Sequence, residues 1–347
     1  MTHPRWRHWA LGAALVMLLP IVAACGSTSA GAPTKVVKVG LVTDIGGLND
    51  KGFNHLAYVG LQNAKHDFGI QGDVVESHSG NDYIPNLTNY ATKGYDLVIG
   101  VGFLMATAIG TVSTQFPNIK FAIIDGSGTD ANGNDLNNKN VESLLFHEQD
   151  AGALVGAIAG QLAKDQADPK KSNTISAVGG ISIPPVNRYI AGFQWAAQMI
   201  DPGVKVLIGY SNDFVDATKC AGVANSQIAA GSDIVFQVAG GCGLGALQAA
   251  GQKGVYSIGV DTDQKTADNS VICSAVKRVD VATYTAIQQV VNSTYHSGVS
   301  SFSLENAGVG FAPGNVTLPA DVVAAEAALA QQIQTNQVTP PDTIATP

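Results

Sequence analysis

Residues 38–54, KVGLVTDIGGLNDKGFN, carry the clearest indication of the fold of this chain. Residues 39–42 form a short apolar run, which predicts a buried strand of a parallel sheet. The Gly46-Gly47 pair then lets the backbone turn sharply and approach a ligand closely. Asn49 or Asp50 can cap the helix that follows. A strand, a glycine turn and a capped helix in this order are typical of an open α/β sheet, in which ligands bind at the carboxyl ends of the strands.

The side chains of this stretch suit a planar ligand that is rich in hydrogen-bond donors. Asp44 and Asp50 offer carboxylates, Asn49 and Asn54 offer amides, and Phe53 offers a flat aromatic face. The alternative is an ordinary strand–helix loop whose Asp and Asn residues satisfy only backbone groups. The local pattern favours a ligand site, because all of these side chains lie between the end of a strand and the first turn of its helix.

The rest of the chain continues the alternation of strands and helices. Apolar strand runs lie in two series, near residues 72–77, 97–101, 120–124 and 141–146, and then near residues 174–178, 205–210, 234–238, 256–260 and 271–276. Helical segments lie near residues 53–68, 86–93, 106–116, 151–164, 187–201, 216–230, 243–253 and 281–296. Such alternation predicts parallel sheets with right-handed crossovers. Because 347 residues exceed one typical core and no linker separates the series, we expect two lobes.

The first residues predict a targeting signal and a lipid anchor. Two arginines form a positive segment, and residues 10–22 form an apolar segment too short for a comfortable membrane span. The motif VAAC that follows resembles a bacterial lipobox, in which the cysteine, here Cys25, is lipidated and becomes the new N-terminus. An ordinary signal peptide with a chance cysteine is the alternative. We predict a signal peptide at residues 1–24, a flexible tether at residues 25–37 and attachment to the outer face of the cell membrane through acyl chains alone.

Composition and motifs exclude several classes of function. The formal net charge is −8 and there is no basic cluster, which argues against a nucleic-acid partner. The sequence has no G-x-S-x-G or H-E-x-x-H motif and its seven histidines are scattered, so we expect no enzyme and no cofactor. No C-x-x-C or His-rich spacing predicts a metal site. A nucleoside hydrolase with Asp44, Asn49 and Asp50 around a calcium ion remains the alternative.

Six segments, taken in order, resemble one known family. They are TDIGGLNDKGFN (43–54), FAIID (121–125), GF (192–193), VAGG (238–241), IGVD (258–261) and SAVKRVD (274–280). Through them the chain resembles the basic-membrane-protein family, the purine-nucleoside-binding lipoproteins that feed ABC importers, over residues 37–312. Their order and spacing make the resemblance specific, whereas each segment alone is weak.

The resemblance implies an α/β, type I periplasmic-binding-protein fold with two Rossmann-like lobes and a multi-strand hinge. We expect residues 38–146 plus 279–305 in the N-terminal lobe and residues 147–278 plus 306–336 in the C-terminal lobe. The lobes are expected to close over a ligand, whose contacts with both of them shift the population from open to closed.

The resemblance also implies ligand contacts beyond the first stretch. Asp125, at the end of a strand, is expected to accept hydrogen bonds from the ring N–H and exocyclic amine of a purine, on which Phe53 would stack. Asp261 is expected to bind ribose hydroxyls, and Lys277 to donate to a ribose oxygen or to Asp261. A surface salt bridge between Asp261 and Lys277 is the alternative interpretation.

A second stacking ring is needed, and three residues are candidates for it. Phe214 follows a strand in a loop that can reach the cleft, and we favour it. Phe193 lies within a helical segment, which predicts core packing instead. Tyr189 is intermediate between these two.

The glycine-rich segment after residue 238 and the cysteines carry further expectations. The resemblance implies that Gly240 and Gly241 bring backbone N–H groups near the sugar, with Cys242 standing where many relatives have a hydroxyl residue. The same segment fits a loose dinucleotide fingerprint, which is common by chance in a glycine-rich chain. Outside the membrane a cysteine pair can persist as a disulfide. We favour Cys220 with Cys242, and leave Cys273 as a buried thiol.

These features together predict a monomeric binding protein that captures guanosine, inosine or adenosine and delivers it to an ABC permease with its ATPase subunits. Two alternatives remain open. One is a sugar or autoinducer receptor on the same fold, since a fold does not determine its ligand. The other is a ligand-sensing subunit of a signalling system.

Overall fold

A computed structural model describes residues 35–164 and 172–345. The predicted signal peptide, the predicted lipidation site Cys25 and nearly all of the predicted tether lie outside these residues. Among the helices of the described residues, none is both long and apolar enough to cross a membrane.

Strands and helices alternate along most of the described chain. The strands are β1 (Lys38–Val42), β2 (Gln71–Val75), β3 (Leu97–Val101), β4 (Lys120–Ile124), β5 (Val141–Phe146), β6 (Thr174–Gly179), β7 (Lys205–Tyr210), β8 (Ile234–Val238), β9 (Tyr256–Asp261), β10 (Val271–Lys277), β11 (Gly298–Phe302) and β12 (Val309–Pro313). The helices are α1 (Phe53–Phe68), α2 (Tyr83–Thr92), α3 (Ala106–Gln115), α4 (Glu148–Lys164), α5 (Pro184–Ile200), α6 (Ala217–Ala229), α7 (Gly240–Lys253), α8 (Val279–Val291) and α9 (Ala320–Gln334).

The strands form two six-stranded sheets. The first has the order β11-β5-β4-β3-β1-β2 and the second the order β12-β10-β9-β8-β6-β7. All neighbouring pairs of the first sheet are parallel. In the second sheet only β12, which pairs with β10, is antiparallel. The central strands β3 and β8 are buried along their whole length, as expected of a sheet covered by helices on both faces. The two predicted α/β lobes are therefore confirmed.

The chain passes from one sheet to the other three times. The connections run between β5 and β6, between β10 and β11, and between β11 and β12. Together they form a hinge of several connections rather than a single linker. The lobe boundaries predicted after residues 146, 278 and 305 fall within these connections and stay predictions.

Some elements differ from the sequence-based expectation. The predicted strands omit β11 and β12, which are edge strands of 5 residues, one in each sheet. The helices α4, α5 and α7 each begin three residues earlier than expected. In α4 the acidic Glu148 and Asp150 lie in the first turn, where negative charge complements the helix dipole. In α5 proline occupies the first helical position, which needs no N–H donor.

Close packing of α4 on α5 determines where the second lobe places its site residues. A Cβ atom added to Gly152, Gly156 or Gly160 of α4 would collide with backbone atoms of α5, including those of Tyr189 and Phe193. Glycine at every fourth position thus lets the two backbones touch along the shared face. This contact holds the start of α4 beside Tyr189.

Candidate ligand-binding site

A cleft lies where the carboxyl ends of the two sheets face each other. Its empty volume, mouth included, is about 600 Å³. Nine of the eleven residues predicted to contact a ligand line it, namely Asp44, Asp50, Phe53, Asn54, Asp125, Phe214, Gly240, Asp261 and Lys277. The cleft is also lined by residues that the sequence interpretation did not choose, namely Gly46, Gly102, Phe103, Leu104, Ile183, Pro185, Val186, Tyr189, Val238, Ala239 and Val260.

Two predicted site residues lie outside this lining. Asn49 is exposed, because Asp50 rather than Asn49 turns inward to the start of α1. Gly241 instead lies where the two lobes meet: a Cβ atom added to it would lie 3.6 Å from the Cα atom of Asp50. A bond from the Gln264 side chain to the backbone oxygen of Lys51, 3.5 Å long, is a second contact of this kind. The lobes are therefore in contact across the cleft mouth.

The loop after β1 is held by its own carboxylates. The oxygens of Asp50 accept hydrogen bonds from the backbone N–H groups of Gly52, Asn54 and His55, which satisfies the first turn of α1. The side-chain amide of Asn54 donates to Asp44 at 2.8 Å and to Asp50 at 3.2 Å. Most of these hydrogen bonds of Asp50 are therefore with backbone N–H groups of its own loop and helix, as the alternative interpretation of this loop expects.

Asp125 and Asp261 occupy equivalent places in the two lobes. Asp125 directly follows β4 and Asp261 ends β9, and their φ angles are 69° and 64°. This left-handed region is uncommon for non-glycine residues and costs about 1–3 kcal/mol each. Both side chains are almost fully buried and line the cleft. Backbone strain at these two positions thus accompanies the placing of two carboxylates in the cleft.

Lys277 lies between carboxylates and is only 1% exposed. Its Nζ atom is 2.6 Å from both oxygens of Asp125 and 2.9 Å from Oε1 of Glu148. The expected bond from Lys277 to Asp261 is absent from the described contacts, and burial excludes a surface salt bridge. Tyr189 donates to Asp261 instead, at 3.3 Å. Glu148 was not predicted, because its contact with β10 joins residues 129 positions apart.

Burial dominates the pKa values of the cleft carboxyls. It raises the pKa of Asp44 to about 6 and that of Asp261 to about 6. The pKa of Asp125 rises to about 7, because burial and the charge of Glu148 outweigh the attraction of Lys277. Burial lowers the pKa of Lys277, but the surrounding carboxylates raise it above its ordinary value. Above these pKa values the carboxylates are ionised and act only as acceptors, so the cleft then suits a ligand that donates hydrogen bonds.

Each lobe contributes an aromatic ring to the cleft. Phe53 comes from the first turn of α1 and Phe214 from the loop after β7. The backbone oxygen of Phe214 accepts from the N–H of Cys242, which forms a disulfide with Cys220 across a Cα–Cα distance of 5.5 Å. This is the disulfide that the sequence analysis favours.

The other aromatic candidates lie differently. Phe193 is fully buried, with its ring centroid 5.1 Å from that of Phe236, so it belongs to the core as expected. Tyr189 lines the cleft beside Asp261. Phe103 also lines the cleft, from the turn after β3. Its position shortly after a buried strand is the feature of the sequence that could have identified it. Cys273 is buried and free, away from the cleft lining.

The fold and the cleft define a class, the solute-binding proteins with two α/β lobes of the type I periplasmic-binding-protein kind. A solute-binding protein of an ABC transporter system from Aeropyrum pernix K1 has a similar structure, with a TM-score of 0.80 and 26% identity over 88% of this chain and 94% of that one. A second such protein, from Conexibacter woesei, has a TM-score of 0.67 at 24% identity, over 89% of this chain and 100% of that one.

Sequence similarity gives the family. Residues 37–342 match the Bmp family, described as PnrA-like substrate-binding proteins of ABC transporters. An uncharacterized lipoprotein of Pyrococcus abyssi is 33% identical over 85% of this chain and 74% of its own length. The Lactococcus lactis protein BmpA, named an ABC transporter nucleoside-binding protein, is 29% identical over 89% of this chain and 92% of its own length. The chain belongs to the Bmp family and is a substrate-binding protein rather than an enzyme; such proteins work with permease and ATPase subunits.

Proposed function

We propose that this protein captures a purine nucleoside, such as guanosine, inosine or adenosine, between its lobes and delivers it to the permease. One observation carries this proposal: an aromatic ring from each lobe, Phe53 and Phe214, and buried carboxylates line the same cleft. A purine offers a flat face to the rings and N–H donors to the carboxylates. Stacking on an aromatic ring contributes about 1–3 kcal/mol per base. The relative BmpA is named an ABC transporter nucleoside-binding protein, which supports the same ligand class.

The roles of the polar residues follow from their places. Asp125 accepts hydrogen bonds from the base, and Lys277 beside it favours the ionised form that can do so. Asp261 binds the ribose hydroxyls, with Tyr189 fixing one of its oxygens. Gly240, in the first turn of α7, offers a backbone N–H to the sugar.

The charge of the cleft separates nucleosides from their phosphates. Asp44, Asp50, Asp125 and Asp261 all line it, with Lys277 as the cation among them. A phosphate would face these carboxylates, and unfavourable like-charge contacts cost several kcal/mol. The charge of the cleft therefore supports an uncharged nucleoside, rather than a nucleotide, as the proposed ligand.

Titration calorimetry of the purified protein tests this proposal. Guanosine, inosine and adenosine should bind, and guanosine 5′-monophosphate and ribose should bind much more weakly. Mass spectrometry of small molecules retained through purification identifies the preferred base. Binding of ribose as tight as that of the nucleosides would favour the sugar-receptor alternative and end the nucleoside proposal.

We also propose that acyl chains on Cys25 hold the mature protein on the outer face of the cell membrane. The support is the lipobox-like VAAC motif, together with the lipoprotein names of several relatives. Cys25→Ser should release the protein into the soluble fraction. A variant that still fractionates with membranes through detergent washing contradicts the anchor.

A further inference from the structure

Glu148 is a buried carboxylate close to the site but outside the cleft lining. It is the first residue of α4 and is 0% exposed. Its Oε1 accepts from Lys277 at 2.9 Å, and its Oε2 lies 3.4 Å from Nη1 of Arg188. A fully buried carboxylate is strongly destabilising unless it is paired. Both oxygens of Glu148 are paired, each with a different cation.

Lys277 has two acceptors and an aromatic surrounding. Its ammonium bonds Asp125 and Glu148, and it lies 5.0 Å from the ring centroid of Phe53 and 4.8 Å from that of Phe146. An ammonium group has three donors and no acceptor, so these contacts orient it closely. Without Glu148, Asp125 would be the one carboxylate left among these contacts to accept a hydrogen bond from the ammonium, and their attraction would be stronger.

We propose that Glu148 is a positioning residue of the binding site, which acts through Lys277. By sharing the ammonium with Asp125, it leaves Asp125 with acceptor capacity for the donors of a ligand. Arg188, on α5, lies 3.4 Å from the second oxygen and so pairs the side of Glu148 that faces away from Lys277. This inference rests on the proposed function, in which Asp125 reads the base.

The charges around Asp125 give the proposal a measurable signature. Lys277 on β10, Glu148 on α4 and Asp261 on β9 act on it, and Tyr189 on α5 interacts with it in turn. Burial and the charge of Glu148 raise the pKa of Asp125 to about 7, against the opposing effect of Lys277. Neutralising Glu148 should therefore lower the pKa of Asp125.

The test compares Glu148→Gln with Asp150→Asn. Both changes remove one negative charge from the first turn of α4, but Asp150 contacts His147 and the backbone of Leu304 rather than Lys277. The NMR signal of the carboxyl carbon of Asp125 is followed as a function of pH in ligand-free, aspartate-labelled protein. The signal is assigned because it is missing from the spectrum of Asp125→Asn. Its midpoint should fall by about one pH unit in Glu148→Gln, the size typical of one nearby charge, and stay unchanged in Asp150→Asn.

Guanosine titrations measure how Glu148 affects ligand binding. At pH 8, Glu148→Gln should weaken guanosine about tenfold, since Lys277 then competes more strongly for Asp125, and the acidic loss of affinity should move to lower pH. A one-unit fall in pKa corresponds to about a tenfold change in proton affinity. Glu148→Asp, which keeps the charge, should restore the wild-type pH profile. Should Glu148→Gln fail to fold, the double variant Glu148→Gln/Arg188→Gln keeps the net charge and should show the same downward shift.

The outcomes separate this inference from the proposed function. An Asp125 midpoint in Glu148→Gln that stays at the wild-type value or rises overturns the positioning role, whatever the protein binds. A lowered midpoint in a protein that binds no nucleoside supports the electrostatic coupling but ends the proposed function. A midpoint that falls equally in Asp150→Asn would show a general charge effect and overturn the role of Glu148.

Discussion

Replacement of Asp125 by alanine should weaken guanosine and inosine by about 2–4 kcal/mol. Asp125 is 6% exposed and lines the cleft, so its bonds to a ligand are shielded from water. Hydrogen bonds to a charged group contribute about 1.5–3 kcal/mol each, and removal of the acceptor also leaves buried donors unpaired. The expected loss corresponds to roughly a 30- to 1,000-fold higher Kd.

The variant should remain folded, which makes the measurement interpretable. Removing one partner of a buried pair is strongly destabilising when the other charge is left alone. Lys277 is not left alone, because Oε1 of Glu148 stays 2.9 Å from its Nζ atom. The substitution does carry one cost in stability, because the φ of 69° at this position is left-handed and alanine tolerates it less well than aspartate. Thermal unfolding of the variant checks that it is folded at the assay temperature.

Calorimetry with three nucleosides gives the decisive pattern. Adenosine presents an acceptor at the ring position where guanosine presents N–H, so it should bind the wild type more weakly and lose less in Asp125→Ala. Phe53→Ala is the matched control and should weaken all three by a similar amount, about 1–3 kcal/mol, since stacking barely distinguishes purines. Unchanged guanosine affinity in Asp125→Ala would refute the assignment of Asp125 to the base.

Three further predictions concern pH and the disulfide. Guanosine affinity should fall as the pH drops through the pKa values of about 7 for Asp125 and about 6 for Asp44 and Asp261, because binding requires ionised carboxylates. A Kd for guanosine that does not change between pH 8 and pH 5 contradicts this prediction. Ligand-free protein should instead melt at a higher temperature at pH 5.5 than at pH 7.5, and scanning calorimetry measures this. The reason is that the carboxyls of Asp125, Asp44 and Asp261 have pKa values in the folded protein above the ordinary 3.8. Their contribution to stability is therefore lost as the pH rises through those folded-state pKa values. Reduction of Cys220–Cys242, 22 residues apart, should lower the free energy of unfolding by roughly 3 kcal/mol in the chain-entropy description, with guanosine still bound; denaturant unfolding with and without reductant shows whether it does.

Local sequence patterns are enough to predict the two α/β lobes and much of the cleft lining. Alternating apolar runs and helical segments are local patterns, and parallel strands impose a common edge on their carboxyl ends. Asp44, Asp125 and Asp261 each end or follow such a strand, so their meeting in one cleft follows from the order of elements. Phe53 could be found for the same reason, because it opens the helix after the first strand.

The pairing of these groups could not be predicted from the sequence, because it depends on contacts between distant segments. The bonds of Lys277 reach Asp125, 152 positions away, and Glu148, 129 positions away, and no local pattern carries such information. The sequence interpretation expected Lys277 to donate to a ribose oxygen or to Asp261, because both residues end strands at the same edge of the second lobe. In the structure Tyr189 donates to Asp261, and the packing of α5 on α4 places it there. The edge strands β11 and β12 were missed for a related reason: each has only 5 residues, and its pairing with β5 or β10 joins segments that are far apart in the sequence.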